Sequence, residues 1–405
     1  MENSLKALME RLSISKYPER WNGFFEEVSQ DVLQNGCMLA ERDYYQELHD
    51  NYGVLENLLD VFQEAADEIK ADGDCLLFTA LLSRAMKDRD KIRSDLASLD
   101  LPNNDPYTLK YAAIPSLVMC EAIPKLYAEM KLRNVPQDIF EATIKSIERV
   151  TENYMNKNNG EVGFSNFAWH QLLYDGRLFK VKRLTLEFPF ALPGAYKVFE
   201  NTTGEIVTLV CNMQVHRDGM PLGSLRYEDD TDSFTASLEE TDDAYIGYPF
   251  DEHGKIKREK VTLKKDEWHV KLKGGDRVVS IHIPRGGDFD DKTVQETLDY
   301  ARVFLDKCYP DYENKAFFCA SWLLDHQIGE LLGNDSNIVK FGNRYRRMHT
   351  KNPGTDAITF VFNVNDKKYT LDDLNDLPEN TRLERTLKKH YLDGKAIYMP
   401  HGFFF

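Results

Sequence analysis

Residues 277–324 constrain the fold more than any other stretch of the chain. Arg277-Val278-Val279-Ser280-Ile281-His282-Ile283-Pro284 alternates with period two and is rich in β-branched residues, which predicts a strand. Arg285-Gly286-Gly287-Asp288-Phe289-Asp290 reads as a glycine turn, and helical spacing then runs from about Asp291 to Lys307. A second apolar run, Ala316-Phe317-Phe318-Cys319-Ala320-Ser321-Trp322-Leu323-Leu324, predicts another strand. Strand, helix and strand in this order form a βαβ unit, whose two strands lie parallel in one sheet.

A chain of 405 residues has room for two domains. Up to about Asn153 the apolar residues recur at helical spacing, as in Leu55, Leu58, Leu59, Val61 and Phe62. Breaks at Asn103-Asn104-Asp105-Pro106 and Asn134-Val135-Pro136 divide this half into five to seven helices, because the residue before a proline is pushed out of the α region. The pattern changes around Asn158-Asn159-Gly160. The expected domains are therefore a helical 1–160 and an α/β 161–405, with a short helix about Trp169 as the connection.

Period-two alternation over Leu178–Phe188 predicts one strand, and Glu205 to Met213 predicts another. Arg217-Asp218-Gly219 is a turn, and the acidic stretch from Glu228 to Asp243 reads as solvated surface. After the βαβ unit come a short helix from Asp325 to Leu332, strands near Val339–Met348 and Ala357–Val364, and a last helix from Arg382 to Tyr391.

A formal net charge of −16, with no basic run carrying interleaved aromatics, excludes nucleic acid as the expected partner. No stretch approaches the ~18 apolar residues of a membrane span, and Met1-Glu2-Asn3-Ser4-Leu5 lacks the basic start of a secretion signal. A cytosolic protein is expected. Cys37, Cys75, Cys120, Cys211, Cys308 and Cys319 include no C-x-x-C pair and read as reduced thiols, and the histidines show no H-x-x-x-H spacing, so no metal is expected.

The candidate site residues follow the βαβ unit. Glycines let a backbone approach a diphosphate, and the first turn of a helix offers free N–H groups, so Arg285, Gly286 and Gly287 suit a phosphate. The bland alternative is a turn whose helix is capped by Asp288, Asp290 or Asp291. Alternation puts Val279, Ile281 and Ile283 on one face of the first strand and Val278, Ser280 and His282 on the other. His282 has the chemistry of a general base for an amine or hydroxyl, or else is a hydrogen-bonded structural histidine. On the second strand Cys319 and Ser321 share a face. If that face opens into the cleft of His282, either residue is placed to act as nucleophile or proton donor; the ordinary reading of a strand cysteine is core. Trp322, Leu323 and Leu324 read as the packed strand-to-helix corner, Asp325 as the N-cap of the short helix, and Ser336-Asn337 as a cap, a turn or a substrate contact.

Several motifs together resemble a known family. They are Leu178-Phe179-Lys180-Val181-Lys182-Arg183-Leu184, Gly275-Asp276 leading into Ile281-His282-Ile283-Pro284-Arg285-Gly286-Gly287, and Phe318-Cys319-Ala320-Ser321-Trp322-Leu323-Leu324-Asp325. Ser336-Asn337-Ile338 before Phe341, and Leu377-Pro378 with Thr381, Leu383, Arg385 and Gly394, extend the match. The chain is similar to bacterial proteins that join an N-acyltransferase N-terminal domain to a GNAT-like C-terminal domain. The resemblance implies a helical N-terminal domain followed by a GNAT-like mixed β-sheet flanked by helices. It also implies acyl transfer from acetyl-CoA or another acyl-CoA to a small-molecule or peptide amine or hydroxyl. In GNAT enzymes the fourth strand and the loop after it hold the cofactor, which by chain order implies Ile281, Ile283, Arg285, Gly286 and Gly287 as cofactor-binding residues. The usual Gln/Arg-x-x-Gly-x-Gly/Ala loop is shortened here to Arg285-Gly286-Gly287, and no tyrosine follows the next strand to serve as acid. A non-catalytic GNAT-like ligand-binding or regulatory protein is the rival reading, and a hydrolase built on Cys319 or Ser321 lacks a G-x-S-x-G elbow.

Overall fold

The computed structural model describes residues 4–99, 109–228, 230–362 and 369–405. The expected break at Asn103–Pro106 and residue Val364 lie outside them. The chain divides into two compact units, Met1–Lys182 and Arg183–Phe405. The expected boundary near 160 falls in the turn between the helices Ser146–Lys157 and Phe167–Tyr174.

The first unit is helical, and its helices are shorter and more numerous than the proline breaks alone predict. Gly53, in the left-handed conformation, ends Arg42–Tyr52. The Asp72 carboxylate accepts hydrogen bonds from the Asp74 and Cys75 amides, each 3.1 Å, and starts Gly73–Met86. Trp21, Phe62 and Phe78 fill the interior. Two polar groups buried with them are paired: the Trp21 indole donates to Asp95 at 2.9 Å, and Glu148 accepts the Leu55 amide at 2.8 Å. Strand Leu178–Val181 lies on helix Gln137–Ile144, where the Lys180 amide donates to Thr143. Lys182, at φ +45°, takes the backbone out of the extended region, so the single strand expected over Leu178–Phe188 ends at Val181 and resumes at Leu184.

The second unit is built on a mixed sheet. Its strands are β1 (Leu184–Ala191), β2 (Arg277–His282), β3 (Phe317–Ala320), β4 (Arg346–Met348) and β5 (His401–Phe404), in the order β1-β2-β3-β5-β4. The β2–β3 pair is parallel and joined by helix α1 (Asp291–Cys308), as the βαβ pattern requires; the other pairs are antiparallel. One face of the sheet carries Val278, Phe318, Phe403 and Met348 against Tyr196, Val198 and Leu272 of a smaller sheet made by Tyr196–Asn201, Ile206–Val210 and Trp268–Leu272. On the other face Phe188 meets Phe304 of α1, with ring centroids 6.2 Å apart. Buried Val294, Leu298, Ala301 and Leu305 of α1 show the helical spacing that makes this possible.

Other expected elements differ as well. The strand expected from Glu205 to Met213 breaks at Cys211 into Ile206–Val210 and Asn212–Val215, which belong to different sheets. Ala357–Val364, read as a strand, is the helix Asp356–Phe362. Val339–Met348 is a helix, Asn337–Gly342, capped by Ser336 and followed by the short strand β4. The acidic stretch is largely exposed, as expected of solvated surface, and it contains two short strands, Phe234–Ser237 and Glu239–Glu240. Among the described residues, no helix is long and apolar enough to cross a membrane, and all six cysteines are free thiols.

Candidate functional site

The parallel ladder between β2 and β3 holds Val279 against Phe317 and Ser280 against Phe318. Among the described residues it has no further pair, although both strands run on for two residues. The two strands therefore part at their C-terminal ends. The loop that follows β2 lies at this opening. Gly286 and Gly287 both have positive φ, +75° and +73°. Among the described residues, no protein group accepts a hydrogen bond from the amides of Arg285, Gly286, Gly287 or Asp288. Successive N–H groups in such a turn form an anion-binding concavity. Asp290 caps α1, accepting from the amide and hydroxyl of Thr293 at 3.0 and 2.6 Å. The capping carboxylate thus serves the helix and not the glycine turn. From below, Arg183 braces the loop: its Nε donates to the Asp288 carbonyl at 2.8 Å and its guanidinium lies 4.9 Å from the Phe289 ring. Arg285 donates to the carbonyl of Phe360. Of the strand residues expected to face a cofactor, Ile281 is buried and Ile283 half-buried.

His282 closes β2 and is half-buried. Its Nε2 lies 3.0 Å from the carboxylate of Glu187, which is buried on the neighbouring strand β1. Register explains the meeting. Ser280 pairs with Glu187 and His282 with Thr185, so Glu187 and His282 stand diagonally on one face. Glu187 sits inside the alternating run read from the sequence, but its partnership depends on that register and had no sequence signal.

The same register separates His282 from Cys319. Pairing of Ser280 with Phe318 puts His282, Ser280 and Phe318 on one face, and Cys319 with Val279 and Phe317 on the other, the face covered by α1. The expectation that Cys319 shares a cleft with His282 does not hold, because paired residues of neighbouring strands point the same way. Cys319 is 1% exposed, and burial pushes its thiol up to about 12. It is protonated throughout the physiological range. Ser321 lies beyond the end of β3, where its hydroxyl accepts the Leu323 amide at 3.2 Å and starts a turn of 3-10 helix at Trp322–Leu324.

A separate cleft of about 210 Å³ is lined by Met220, Tyr227, Lys255, His326, Gln327, Glu330 and Tyr398. Asp325 lies next to it, fully buried. Its carboxylate accepts the Tyr398 amide at 2.7 Å and the Gln327 amide at 3.0 Å, and burial raises it to about 6 against the pull of those hydrogen bonds. The short helix begins at Ile328 with Gln327 at its N-cap, so Asp325 does not cap it as expected; its carboxylate instead ties the turn after β3 to residue 398.

No curated protein matches the sequence. Solved structures do match in fold. An acyltransferase in complex with CoA and 10C-teicoplanin superposes with a TM-score of 0.59 at 17% identity, covering 98% of each chain. Another acyltransferase, in complex with decanoyl-CoA, matches with a TM-score of 0.59 at 19% identity and the same coverage. At this level of identity the likeness speaks for the architecture, a helical region followed by a GNAT-like mixed sheet flanked by helices. Residues 46–176 match the N-acyltransferase N-terminal domain and residues 220–404 match the GNAT-like C-terminal domain. The chain belongs to the family whose members join these two domains.

Proposed function

We propose that the protein transfers an acyl group from an acyl-CoA to an amine or hydroxyl of a small-molecule or peptide acceptor. The observation that carries this reading is the loop Arg285–Asp288, whose amides have no protein acceptor among the described residues and which follows the strand where the parallel ladder stops. A diphosphate suits that loop, because consecutive N–H groups supply directed donors and partial positive charge. Arg285 adds a charge at the same place. The pantetheine arm then runs into the opening between β2 and β3, past Ile281 and Ile283. Structures of similar fold that hold CoA and decanoyl-CoA agree with this choice of donor, and a net charge of −16 argues against a nucleic-acid acceptor.

In the proposed reaction the acceptor nitrogen or oxygen attacks the thioester carbonyl. Its proton passes to His282, the C–S bond breaks, and CoA leaves as a thiolate that is protonated on release. Glu187 at 3.0 Å orients the imidazole and stabilises the imidazolium formed by that transfer. Cys319, on the opposite face with its thiol near 12, takes no part.

The test is calorimetry with CoA, followed by thiol release from acetyl-, octanoyl- and decanoyl-CoA across a panel of amine acceptors. Binding of CoA with turnover that falls in His282→Gln supports the reading. Binding without turnover of any donor identifies a ligand-binding protein, and absence of binding removes the acyl-CoA assignment.

A further inference from the structure

Behind His326, which lines the second cleft, Asp325 and His349 are buried, and the three residues bring one side-chain donor atom each to within 4.8 Å of one another. Two of the three are deeply buried: Asp325 is 3% and His349 is 1% exposed. Neither ring nitrogen of His349 has a hydrogen-bond partner, and Nδ1 of His326 is buried without one. Asp325 Oδ1 lies 3.3 Å from that Nδ1 but outside hydrogen-bonding geometry. Buried polar atoms are nearly always satisfied, so three orphaned imidazole nitrogens beside an oriented carboxylate point to a ligand.

We propose that Asp325, His326 and His349 form a binding site for one divalent transition-metal ion of the zinc class, entered from the cleft that His326 lines. Two imidazoles and a carboxylate are the donor set such ions take, with the fourth position open to water. Ligand atoms around tetrahedral zinc stand about 3.3–3.5 Å apart, so side-chain rotation must close the group by little more than an ångström from the 4.8 Å seen here. The supporting contacts are already in place. Both Asp325 oxygens accept main-chain amides, which fixes the plane of the carboxylate. The Tyr398 ring stands edge-on to His349 at 5.8 Å.

Charge and protonation also favour the ion. Burial first, then neighbouring positive groups, push His326 down to about 4 and His349 to about 3, so protons do not compete for the imidazoles near neutrality. The His253 main chain pulls His349 the other way without completing a hydrogen bond to its ring nitrogens. Lys255 on the cleft wall and Arg347, whose charge acts on both His326 and His349, oppose a cation, and Asp325, which acts on Arg347, and Glu330 offset them. A small anion is the competing occupant, because the Nε of Arg347 is likewise buried without a partner. It would face the Asp325 carboxylate at close range, whereas a metal ion converges with it. An Asp-His dipeptide with a second histidine 23 residues on (349 − 326) matches no short metal motif, which is why the spacing of histidines in the sequence is silent here.

The test uses full-length protein freed of metal by chelator dialysis and titrated with Zn²⁺ against a chromophoric chelator, with Co²⁺ as a spectroscopic substitute. One Zn²⁺ per chain with submicromolar affinity, and the intense visible absorption of tetrahedral Co²⁺, are expected. His326→Gln and His349→Asn are each expected to weaken Zn²⁺ binding at least a hundredfold, while the exposed His269→Gln leaves it unchanged. Should His349→Asn fail to fold, His326→Gln on the cleft wall decides alone. Zn²⁺ binding that survives both substitutions, absence of binding in folded wild type, or a melting temperature raised by inorganic phosphate and not by Zn²⁺ would each overturn the proposal.

Discussion

Replacing Gly286 and Gly287 by alanine tests the diphosphate cradle where its energetics are simplest. A Cβ at position 286 meets nothing within 4 Å, and at 287 it touches only Arg183, at 3.7 Å. Steric clash inside the protein is thereby removed from the argument. What remains is backbone: an L-residue held at φ +75° or +73° costs about 1–2 kcal/mol relative to glycine. That cost must surface in one of two places. If the loop keeps its shape, each alanine variant loses about 1–2 kcal/mol of folding stability. If the free loop relaxes to negative φ, stability is kept and the same energy is charged to binding, raising the Kd for CoA about 5- to 30-fold per position, since 1.4 kcal/mol is tenfold. Urea denaturation and calorimetry on the same samples separate the two. Pantetheine, which lacks the diphosphate, is expected to bind wild type and variants alike. Gly204→Ala provides the control, because Gly204 has φ +83° and open space at its Cβ in a hairpin outside the site. It is expected to lower stability without touching CoA affinity. Unchanged CoA binding in both loop variants, with no loss of stability to account for the strain, would refute the cradle.

His282→Gln and Glu187→Gln are expected to lower turnover by about 10²–10⁴ for the first, and less for the second, with CoA affinity within twofold of wild type; stopped-assay thiol release checks both, and full activity in His282→Gln removes the base. His401, beside Phe318 at 5.3 Å, is pushed by burial down to about 4, below its usual value. The unfolded chain then takes up its proton below pH ~6.5 while the native state does not, so stability falls as pH drops from about 6.5 toward 4, by about 2 kcal/mol at pH 5 relative to pH 8. His401→Phe is expected to flatten that part of the curve in urea titrations at the two pH values. Cys319→Ala is expected to keep turnover, and native protein to leave Cys319 unlabelled by thiol reagents at pH 8, because the thiol is buried and near 12; rapid labelling would show that the opposite face opens.

The βαβ unit was legible because its period switches from two to 3.6 across a glycine turn, and each segment is long enough to show it. The strands at the far side of the sheet were not. Arg346–Met348 and His401–Phe404 are three and four residues long, too short for alternation to register. Ala357-Ile358-Thr359-Phe360-Val361-Phe362 is an apolar run interrupted only by Thr359, and periodicity alone does not tell a buried strand from a buried helix. The site divides in the same way. His282 and the glycine loop are contiguous in sequence and could be read together. Glu187 reaches His282 from 95 residues away, through a register that shifts between Val278 and Ser280. Cys319 illustrates the converse: alternation gives the two faces of a strand, but which face matches which face of the neighbour is set by pairing.

Strand β5 has a further consequence for how the protein is made. Residues 401–404 lie between β3 and β4, with Phe404 stacked on Phe317 at 5.2 Å and Gly402 passing so close to Leu324 and Tyr345 that a methyl group there would not fit. A ribosome delivers β3 more than 80 residues before the strand that covers its open edge (401 − 320). Until then a row of unsatisfied amides and carbonyls along Phe317–Ala320 is available to any other extended chain. That edge of the nascent C-terminal domain therefore stays unpaired while residues 321–400 are made, and losing the segment 401–404 would leave it permanently in place.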